Sequence, residues 1–395
     1  MFRFAIQLLT RNNSRIAGLL LALLLSGCAG SQVKTGPIFF PPAPNPPRIQ
    51  YLMGISDSSD IEGKKSSFSL ILTGRESTEL TRRISKPYGI TSHKGKIYVC
   101  DIGVGNVIII DPALKTFEYL KGNVNIGKLK KPANTTVDKD GNLYVADVAR
   151  KEIVVFTPAG DFLRAIGKEV DMKPSDVLVD EDSLYVLDIQ KKNNEIKVFD
   201  LRSGALKGSF GKAVEGGEGL AIPTNFTMDD KGFIYTTNAG TGRIIKLDKD
   251  GHILFAFGEF GDIVGKFSRP KGVAVDHEGR IYVVDSGSQN VQIFTDKGRI
   301  IAFFGDPGLV KGSLNLPASI TVTRDNLDYF QTFAAPGFIL EAAILVTNQY
   351  GEDKISVYGL GQMQGKEGGS ATGKQPVPDG KKSEGDKPEP AKDGK

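Results

Sequence analysis

The chain has 395 residues, of which 24% are charged and 40% are hydrophobic, and its formal net charge is +4. This nearly balanced charge excludes a dedicated polyanion-binding protein, although a local basic patch is compatible with it. There are three histidines and two cysteines, and the sequence contains no Walker loop, nucleophile elbow or Cys-x-x-Cys pair. Zinc, haem, nucleotide and serine-hydrolase chemistry therefore have no recognisable motif in this chain.

Residues 1–27 are typical of a secretory signal peptide. Basic residues precede the apolar stretch 16–25, which is too short to span a bilayer as a permanent helix. The stretch ends in Leu25-Ser26-Gly27-Cys28, which resembles the bacterial lipobox. That resemblance implies cleavage before Cys28 and its modification by fatty acyl chains such as palmitate, which would anchor the protein stably in a membrane. A plain signal peptide with an incidental cysteine is the alternative.

Two low-complexity segments flank the central part of the chain. Residues 28–46 are rich in proline, which predicts an extended tether between the membrane and the folded domain. Residues 361–395 consist mainly of Gly, Lys, Pro, Glu and Asp without an aromatic residue, so they are predicted to be disordered. Ala29, which follows the lipobox cysteine, resembles the Gram-negative sorting signal for the outer membrane, where the protein would face the periplasm or the cell surface.

Between these segments, six units repeat the same order of short apolar runs and turns. In the unit 269–305, four runs rich in Val, Ile, Phe and Tyr are separated by clusters of Asp, Gly and Ser, which predicts four antiparallel strands. Repeated four-stranded units are typical of the blades of a β-propeller. Each unit opens with a proline: Pro87, Pro132, Pro174, Pro223, Pro270 and Pro317.

The sixth unit lacks a fourth strand at its C-terminal end. The segment 47–54 (PRIQYLMG) aligns without a gap with the fourth strand of the fifth unit, GRIIAFFG. We therefore expect this N-terminal segment to complete the sixth blade and to close the ring. Closure removes the exposed strand edges that would otherwise promote aggregation.

Two recurring motifs indicate a family. Units open with Pro-x-Gly, as in Pro270-Lys271-Gly272, and their second strands read Ile/Leu-Tyr-Val-x-Asp, as in Leu143-Tyr144-Val145-Ala146-Asp147. These elements resemble the NHL-repeat β-propeller family, and the whole arrangement resembles bacterial NHL-repeat lipoproteins. The resemblance covers roughly residues 47–360 and implies an all-β, six-bladed propeller. It implies little about activity, because this fold hosts many unrelated functions.

The second strands end in a ring of Asp and Asn residues. Because such a residue recurs in every blade, we expect a structural role in which its side chain accepts backbone N–H bonds from the next turn. Cys100, one position earlier in the first blade, is expected to be a buried core residue without a disulfide. The ring comprises Asp101, Asp147, Asp188, Asn238, Asp285 and Asn348.

The blades differ two residues after the opening proline. Gly89 and Gly272 are typical of the repeat, whereas blades 2, 3 and 4 carry Asn134, Asp176 and Asn225. The innermost strand of each blade faces the central channel. We therefore expect the side-chain oxygens of these three residues to lie at the same level, as one tier, near one mouth of the channel. Hard cations such as Ca²⁺ prefer such ligands, and lactonases of the gluconolactonase type, which resemble this chain in position only, hold a divalent cation there. The other interpretation is that Asn and Asp occupy a position needing glycine-like backbone angles.

Two insertions interrupt the repeat. The long link into the first blade includes the apolar run 68–72, and the loop 324–341 inside blade 6 carries Phe330, Phe333 and Phe338. Long loops in compact domains are often functional, so these aromatic residues are candidates for contact with a partner. The alternative is that the loop folds back and covers the edge of a blade.

The sequence therefore predicts a monomeric, lipid-anchored propeller of the cell envelope that is a protein- or ligand-binding scaffold and not an enzyme. Its partners would be the membrane and an envelope protein, and neither nucleic acid nor a cofactor is expected. The alternative is a metal-dependent hydrolase or lactonase with a divalent cation at Asn134, Asp176 and Asn225. Lyases of similar propellers bind zinc through channel histidines, and His93, His252 and His277 do not map to the channel here.

Overall fold

The structure is a computed structural model that describes residues 36–63, 81–190, 193–212, 219–308 and 311–364. The predicted signal peptide, the lipidation site Cys28 and the apolar run 68–72 lie outside the described residues, as does nearly all of the predicted C-terminal tail. Among the described residues, no helix combines the length and the apolar character needed to cross a bilayer.

The strands of the described residues form six antiparallel sheets, which are the six blades of a propeller. Blade 1 contains β3 (Pro87–His93), β4 (Lys96–Asp101), β5 (Asn106–Asp111) and β6 (Thr116–Tyr119). Blade 2 contains β7 (Pro132–Val137), β8 (Leu143–Asp147), β9 (Glu152–Phe156) and β10 (Phe162–Ile166). Blade 3 contains β11 (Pro174–Asp180), β12 (Ser183–Gln190), β13 (Asn193–Asp200) and β14 (Leu206–Phe210).

The second half of the ring continues the pattern. Blade 4 contains β15 (Pro223–Met228), β16 (Ile234–Asn238), β17 (Arg243–Leu247) and β18 (Ile253–Phe257). Blade 5 contains β19 (Pro270–Val275), β20 (Ile281–Asp285), β21 (Asn290–Phe294) and β22 (Ile300–Phe304). Blade 6 contains β23 (Pro317–Thr323), β24 (Phe338–Asn348), β25 (Ile355–Met363), β2 (Ile49–Ile55) and β1 (Phe39–Phe40).

The hydrophobic core lies between the blades. Each cluster of buried apolar side chains joins two neighbouring blades, as Tyr235 of blade 4 does with Ile281 and Val283 of blade 5. Burial of one large apolar side chain contributes roughly 1.5–3 kcal/mol, so the stability of a blade depends on its neighbours. The first strands of successive blades also contact one another around the whole ring, including β23 with β3. They surround the central channel.

The predicted closure of the ring is confirmed, and it extends further than expected. Strand β2 pairs with β25, and the Tyr51 hydroxyl donates a hydrogen bond of 2.6 Å to Asp353 Oδ2. Phe39 and Phe40, which the sequence assigns to the tether 28–46, instead form the short outer strand β1. They join the blade because their rings pack against it, with centroids 5.4 Å apart for Phe39 and Phe338. At the other end, β25 continues to Met363.

The aromatic residues of the blade 6 insertion mostly face inward. A short helix, Leu327–Gln331, turns this loop back onto the blade, and Phe330 and Phe338 are completely buried in the core between blades 6 and 1. The prediction of partner contact is therefore wrong for these two residues, because their side chains pack within the domain. Only Phe333, at 38% exposure, has surface available for contact.

The first insertion reaches the same core. Its described part includes a second short helix, Ser59–Glu62, whose Ile61 belongs to the cluster that contains Phe330. Burial and the nearby charge of Asp60 raise the pKa of Tyr329 in the other insertion. Both insertions therefore contribute buried side chains to the interface between blade 6 and blade 1.

The Asp and Asn ring has the structural role predicted for it. Asp101 accepts hydrogen bonds from the backbone N–H groups of Lys86 and Gly103 at 3.0 and 2.8 Å, which joins the incoming link to the turn after β4. Asp147 does the same in blade 2 with Lys131 and Ala149. Cys100 is completely buried, as expected, and within the described part of the chain its thiol forms no disulfide.

Candidate functional site at the mouth of the channel

The six opening prolines lie at one end of the first strands, and we call this side of the propeller the proline face. The inter-blade links and the turns between second and third strands share this face. Every first strand has a register shift directly after its proline, as between Pro87 and Ile90 in blade 1. Proline cannot donate to the ladder, and a bulge redirects neighbouring side chains. The two residues after each proline are thereby placed at the channel mouth.

The structure brings the predicted tier together. Asn134, Asp176 and Asn225 are 6%, 2% and 2% exposed, and Asn225 Nδ2 donates a 3.2 Å hydrogen bond to Asp176 Oδ2. The backbone N–H groups of Val177 and Phe226 donate to the two Asp176 oxygens at 2.8 and 3.0 Å. Asn134 contributes a further side-chain hydrogen bond to the same carboxylate. Asp176 is thus the centre of a buried polar network.

Burial dominates the electrostatics of this tier. It raises the pKa of Asp176 to about 7, although the hydrogen bonds from Phe226, Val177, Asn134 and Asn225 act in the opposite direction. A cation bound to the carboxylate would offset the free-energy cost of burying its negative charge. However, both Asp176 oxygens already accept N–H bonds, and Asn134 Oδ1 accepts one from Thr135.

One oxygen of the tier is unused. Asn225 Oδ1 is buried and has no hydrogen-bond partner among the described residues. A single free oxygen beside one carboxylate falls short of the six to eight oxygen ligands that Ca²⁺ takes. The three residues therefore do not fit a calcium site as they stand.

A neighbouring glycine explains why the tier stops at blade 2. A Cβ atom built on Gly89 of blade 1 would collide with Asn134 Oδ1 and would lie 2.5 Å from the carbonyl oxygen of Ala133. The Asn134 amide occupies the space that a side chain at position 89 would need. Glycine at position 89 therefore fits a close approach of the blade 2 backbone as well as the Asn134 amide.

A basic rim surrounds the mouth, and sequence reasoning missed it. In four of the six blades the residue before the opening proline is cationic: Lys86, Lys131, Lys173 and Arg269. Within the described residues, no carboxylate forms an ion pair with any of these four side chains. Aligning the units on the position before the proline would have revealed the pattern.

Lys271, the residue after the fifth proline, is the most unusual group at the mouth. It is only 7% exposed, and its Nζ lies 5.5 Å from the centre of the Tyr88 ring. Burial, followed by the charges of Arg269 and Lys86, lowers the pKa of Lys271 to about 8. Burial and the charge of Asp176 raise the pKa of Tyr88, so the phenol keeps its proton.

Two threonines of the second strands fix the backbone of these residues. The hydroxyl of Thr237 in blade 4 donates to the carbonyl oxygen of Lys271 in the next blade at 2.5 Å. The hydroxyl of Thr347 in blade 6 donates in the same way to the carbonyl oxygen of Tyr88 in blade 1 at 2.7 Å. The backbone that carries the Lys271 and Tyr88 side chains is therefore fixed by hydrogen bonds between neighbouring blades.

A cavity of about 170 Å³ opens beside Tyr88. Apolar side chains from the strands and turns of blades 1, 2 and 3 form its walls, and two lysines contribute cationic groups. An apolar lining with a few polar groups is typical of sites for small molecules, and the volume, below the roughly 300–1,000 Å³ of sites for drug-sized ligands, restricts this cavity to a small ligand. Its lining comprises Tyr88, Ile102, Lys131, Ala133, Val148, Lys173, Ser175 and Ile189.

The histidines lie elsewhere. His93 is at the end of β3 opposite Pro87, and its buried Nε2 lacks a partner. His252 Nδ1 lies 2.9 Å from Asp248 Oδ2 in an exposed turn of blade 4, where Asp250 completes a surface trio. His277 Nε2 lies 3.2 Å from Glu278 Oε1 in the turn after β19, and among the described residues none of the three histidines is a hydrogen-bond partner of Asn134, Asp176 or Asn225.

These features define an NHL-repeat β-propeller with six blades. The family model described as "NHL repeat" matches residues 267–294, which include the first three strands of blade 5. The chain is similar to a gluconolactonase from Xanthomonas campestris, with a TM-score of 0.53, 12% identity and coverage of 82% of this chain and 98% of that one.

Two other solved structures are similar. A protein of unknown function from Bacteroides thetaiotaomicron has a TM-score of 0.54 and 16% identity, and the match covers 79% of this chain and 75% of that one. A virginiamycin B lyase from Staphylococcus aureus has a TM-score of 0.48 and 17% identity, with coverage of 70% and 81%. At these identities the similarity concerns the fold.

Proposed function

We propose that this protein is a lipid-anchored propeller of the cell envelope that binds a small-molecule ligand at the mouth of its channel. The observation that carries the proposal is the cavity of about 170 Å³ on the proline face, with apolar walls from three blades and polar groups at its rim. The lipobox-like sequence ending in Cys28 supports the anchor and the envelope location.

The chemistry of the mouth favours binding over catalysis. General acid–base catalysis needs titratable groups that converge on one reacting position. Among the described residues, the hydrogen-bond partners of Asp176 are backbone N–H groups and the amides of Asn134 and Asn225. No second acid or base contacts this carboxylate, so it acts as a structural centre.

The test is recovery of the ligand with the protein. The full chain is purified from its membrane, denatured, and the released small molecules are identified by mass spectrometry. Ala133→Trp fills the cavity, since Ala133 is 5% exposed and lines it. Leu163→Trp, at a 49% exposed position on an outer strand, is the control.

We expect a molecule that co-purifies with the wild type and with Leu163→Trp and that is absent from Ala133→Trp, with all three proteins folded by circular dichroism. Recovery of the same molecule from folded Ala133→Trp would contradict binding in the cavity. Release of the Cys28→Ala variant from the membrane fraction tests the anchor separately.

The second candidate is a metal-dependent hydrolase. Its basis is the buried Asn225 Oδ1 beside Asp176, which lacks a hydrogen-bond partner among the described residues. Because the three residues do not fit a calcium site as they stand, the remaining oxygen ligands would have to come from water or a substrate. Calorimetric titration with Ca²⁺ tests this candidate: heat that is present in the wild type and lost in Asp176→Ala would support it. Identical traces for the two proteins would remove it.

A further inference from the structure

We propose that the ligand of the mouth is a small organic anion, a carboxylate or a phosphate monoester whose charge binds Lys271 while its apolar part enters the cavity beside Tyr88. This inference rests on the proposed function and adds the chemical class of the ligand. It depends on three features of the mouth.

The first feature is a buried amine without a counter-charge. Lys271 is 7% exposed, yet among the described residues no carboxylate forms an ion pair with it. Lysine is rarely buried unless it is paired. The charged groups that act on its pKa are cations, Arg269 and Lys86. An anionic ligand would supply the missing charge.

The second feature is the accumulation of positive charge at the mouth, where Arg269 and Lys86 act directly on the Lys271 amine. Lys86 and Arg269 precede the prolines of blades 1 and 5, and Lys131 and Lys173 precede those of blades 2 and 3. The last two also line the cavity. The whole chain has a net charge of only +4, so five cations at the mouth that form no ion pair with a carboxylate of the described residues are a local concentration of charge. Such a field raises the concentration of anions at the site.

The third feature is that Tyr88 adjoins both the amine and the cavity. Its ring faces Lys271 Nζ at 5.5 Å, and the same residue lines the cavity. Beyond it, Ile102, Val148 and Ile189 offer apolar walls. An anion at Lys271 would thus have its apolar substituent directed past Tyr88 into a site of limited volume. This geometry selects a small amphiphilic anion.

The experiment compares matched probes on the full chain by isothermal titration calorimetry. Hexanoate and hexyl phosphate carry the anionic groups, and hexanamide is the neutral counterpart of hexanoate. Lys271→Met removes the charge and keeps the chain length. Lys246→Met is the matched control, because Lys246 Nζ also lies over an aromatic ring, 4.2 Å from the centre of Phe233, at a site outside the mouth.

We expect at least one of the two anions to bind wild type and Lys246→Met equally, and to bind Lys271→Met about tenfold or more weakly, since a charge-assisted hydrogen bond is lost. Hexanamide should bind wild type as weakly as the anions bind Lys271→Met. The stronger of hexanoate and hexyl phosphate identifies the head group.

Three outcomes would overturn the inference: no heat with either anion, equal affinity for hexanamide and hexanoate, or unchanged anion affinity in Lys271→Met. Thermal melting verifies that each variant is folded. If a neutral molecule co-purifies with the protein and is lost in Ala133→Trp, the proposed function holds and the anion class is wrong. If nothing co-purifies and no probe binds, both fail.

Discussion

The amine of Lys271 lies 5.5 Å from the centre of the Tyr88 ring, although these residues belong to blades 5 and 1. Blade 6 stands between them and carries only Ala318 at the equivalent position after its proline. A small alanine at this position is compatible with the close approach of the two larger side chains. One lysine therefore extends across a whole blade to meet an aromatic ring at the channel mouth.

Replacing Lys271 by methionine should stabilise the protein while it removes the charge. The folded-state pKa of about 8 is below the ordinary value of 10.5, so folding disfavours the charged amine. This penalty is constant below pH 8 and is relieved as the pH rises from about 8 to 10.5, because the folded state loses its proton first. We expect Lys271→Met to gain about 1–2 kcal/mol at pH 7, after allowance for solvent screening. Urea unfolding at pH 7 and pH 10 measures the gain, and a loss of stability at pH 7 would contradict it.

Asp176 should make the protein less stable as the pH rises from about 4 to 7. Its folded-state pKa of about 7 is above the ordinary value of 3.8, so the unfolded chain releases the proton at a lower pH than the folded chain. The free energy of unfolding therefore decreases over this range. The difference in unfolding free energy between wild type and Asp176→Asn should change by roughly 2–4 kcal/mol between pH 4 and pH 7 and stay constant above it. Denaturant titrations at several pH values measure this difference. A difference that is independent of pH would show that the carboxylate is ionised throughout.

Phe330 and Phe333 offer a matched pair in the blade 6 insertion. Phe330 is completely buried between blades, whereas Phe333 is 38% exposed. Phe330→Ala should therefore cost about 3–5 kcal/mol, and Phe333→Ala should cost much less. Thermal unfolding of the two variants tests whether the insertion seals the joint between blades 6 and 1. Equal melting temperatures would argue against that role.

Deleting residues 47–54 should destabilise the whole ring. The deletion removes most of β2, including Ile49, and a buried side chain of this kind contributes roughly 1.5–3 kcal/mol by itself. It also exposes the edge of β25. Differential scanning calorimetry should show a large decrease in melting temperature, while deletion of 370–395, predicted from composition to be disordered, should leave it unchanged. A truncated protein that melts like the full chain would refute the closure.

The sequence predicted the blades, the ring of Asp and Asn residues and the closing strand, because short apolar runs, turn residues and prolines are local signals. It also predicted that Asn134, Asp176 and Asn225 meet, since equivalent positions of neighbouring blades are adjacent. It did not predict the burial of Phe330, because an aromatic run looks the same whether it faces a partner or the core. Lys271 was missed because its neighbour Tyr88 is brought to it only by closure of the ring.

The bulge after each opening proline has a consequence for how such a protein diversifies. Two side chains per blade leave the regular ladder there, so they can be exchanged while the pairing of the strands behind them is preserved. Substitutions at these positions can therefore change the ligand specificity of the channel in one blade at a time, while the fold is preserved. The same positions offer a compact set of targets for engineering new specificities onto this ring.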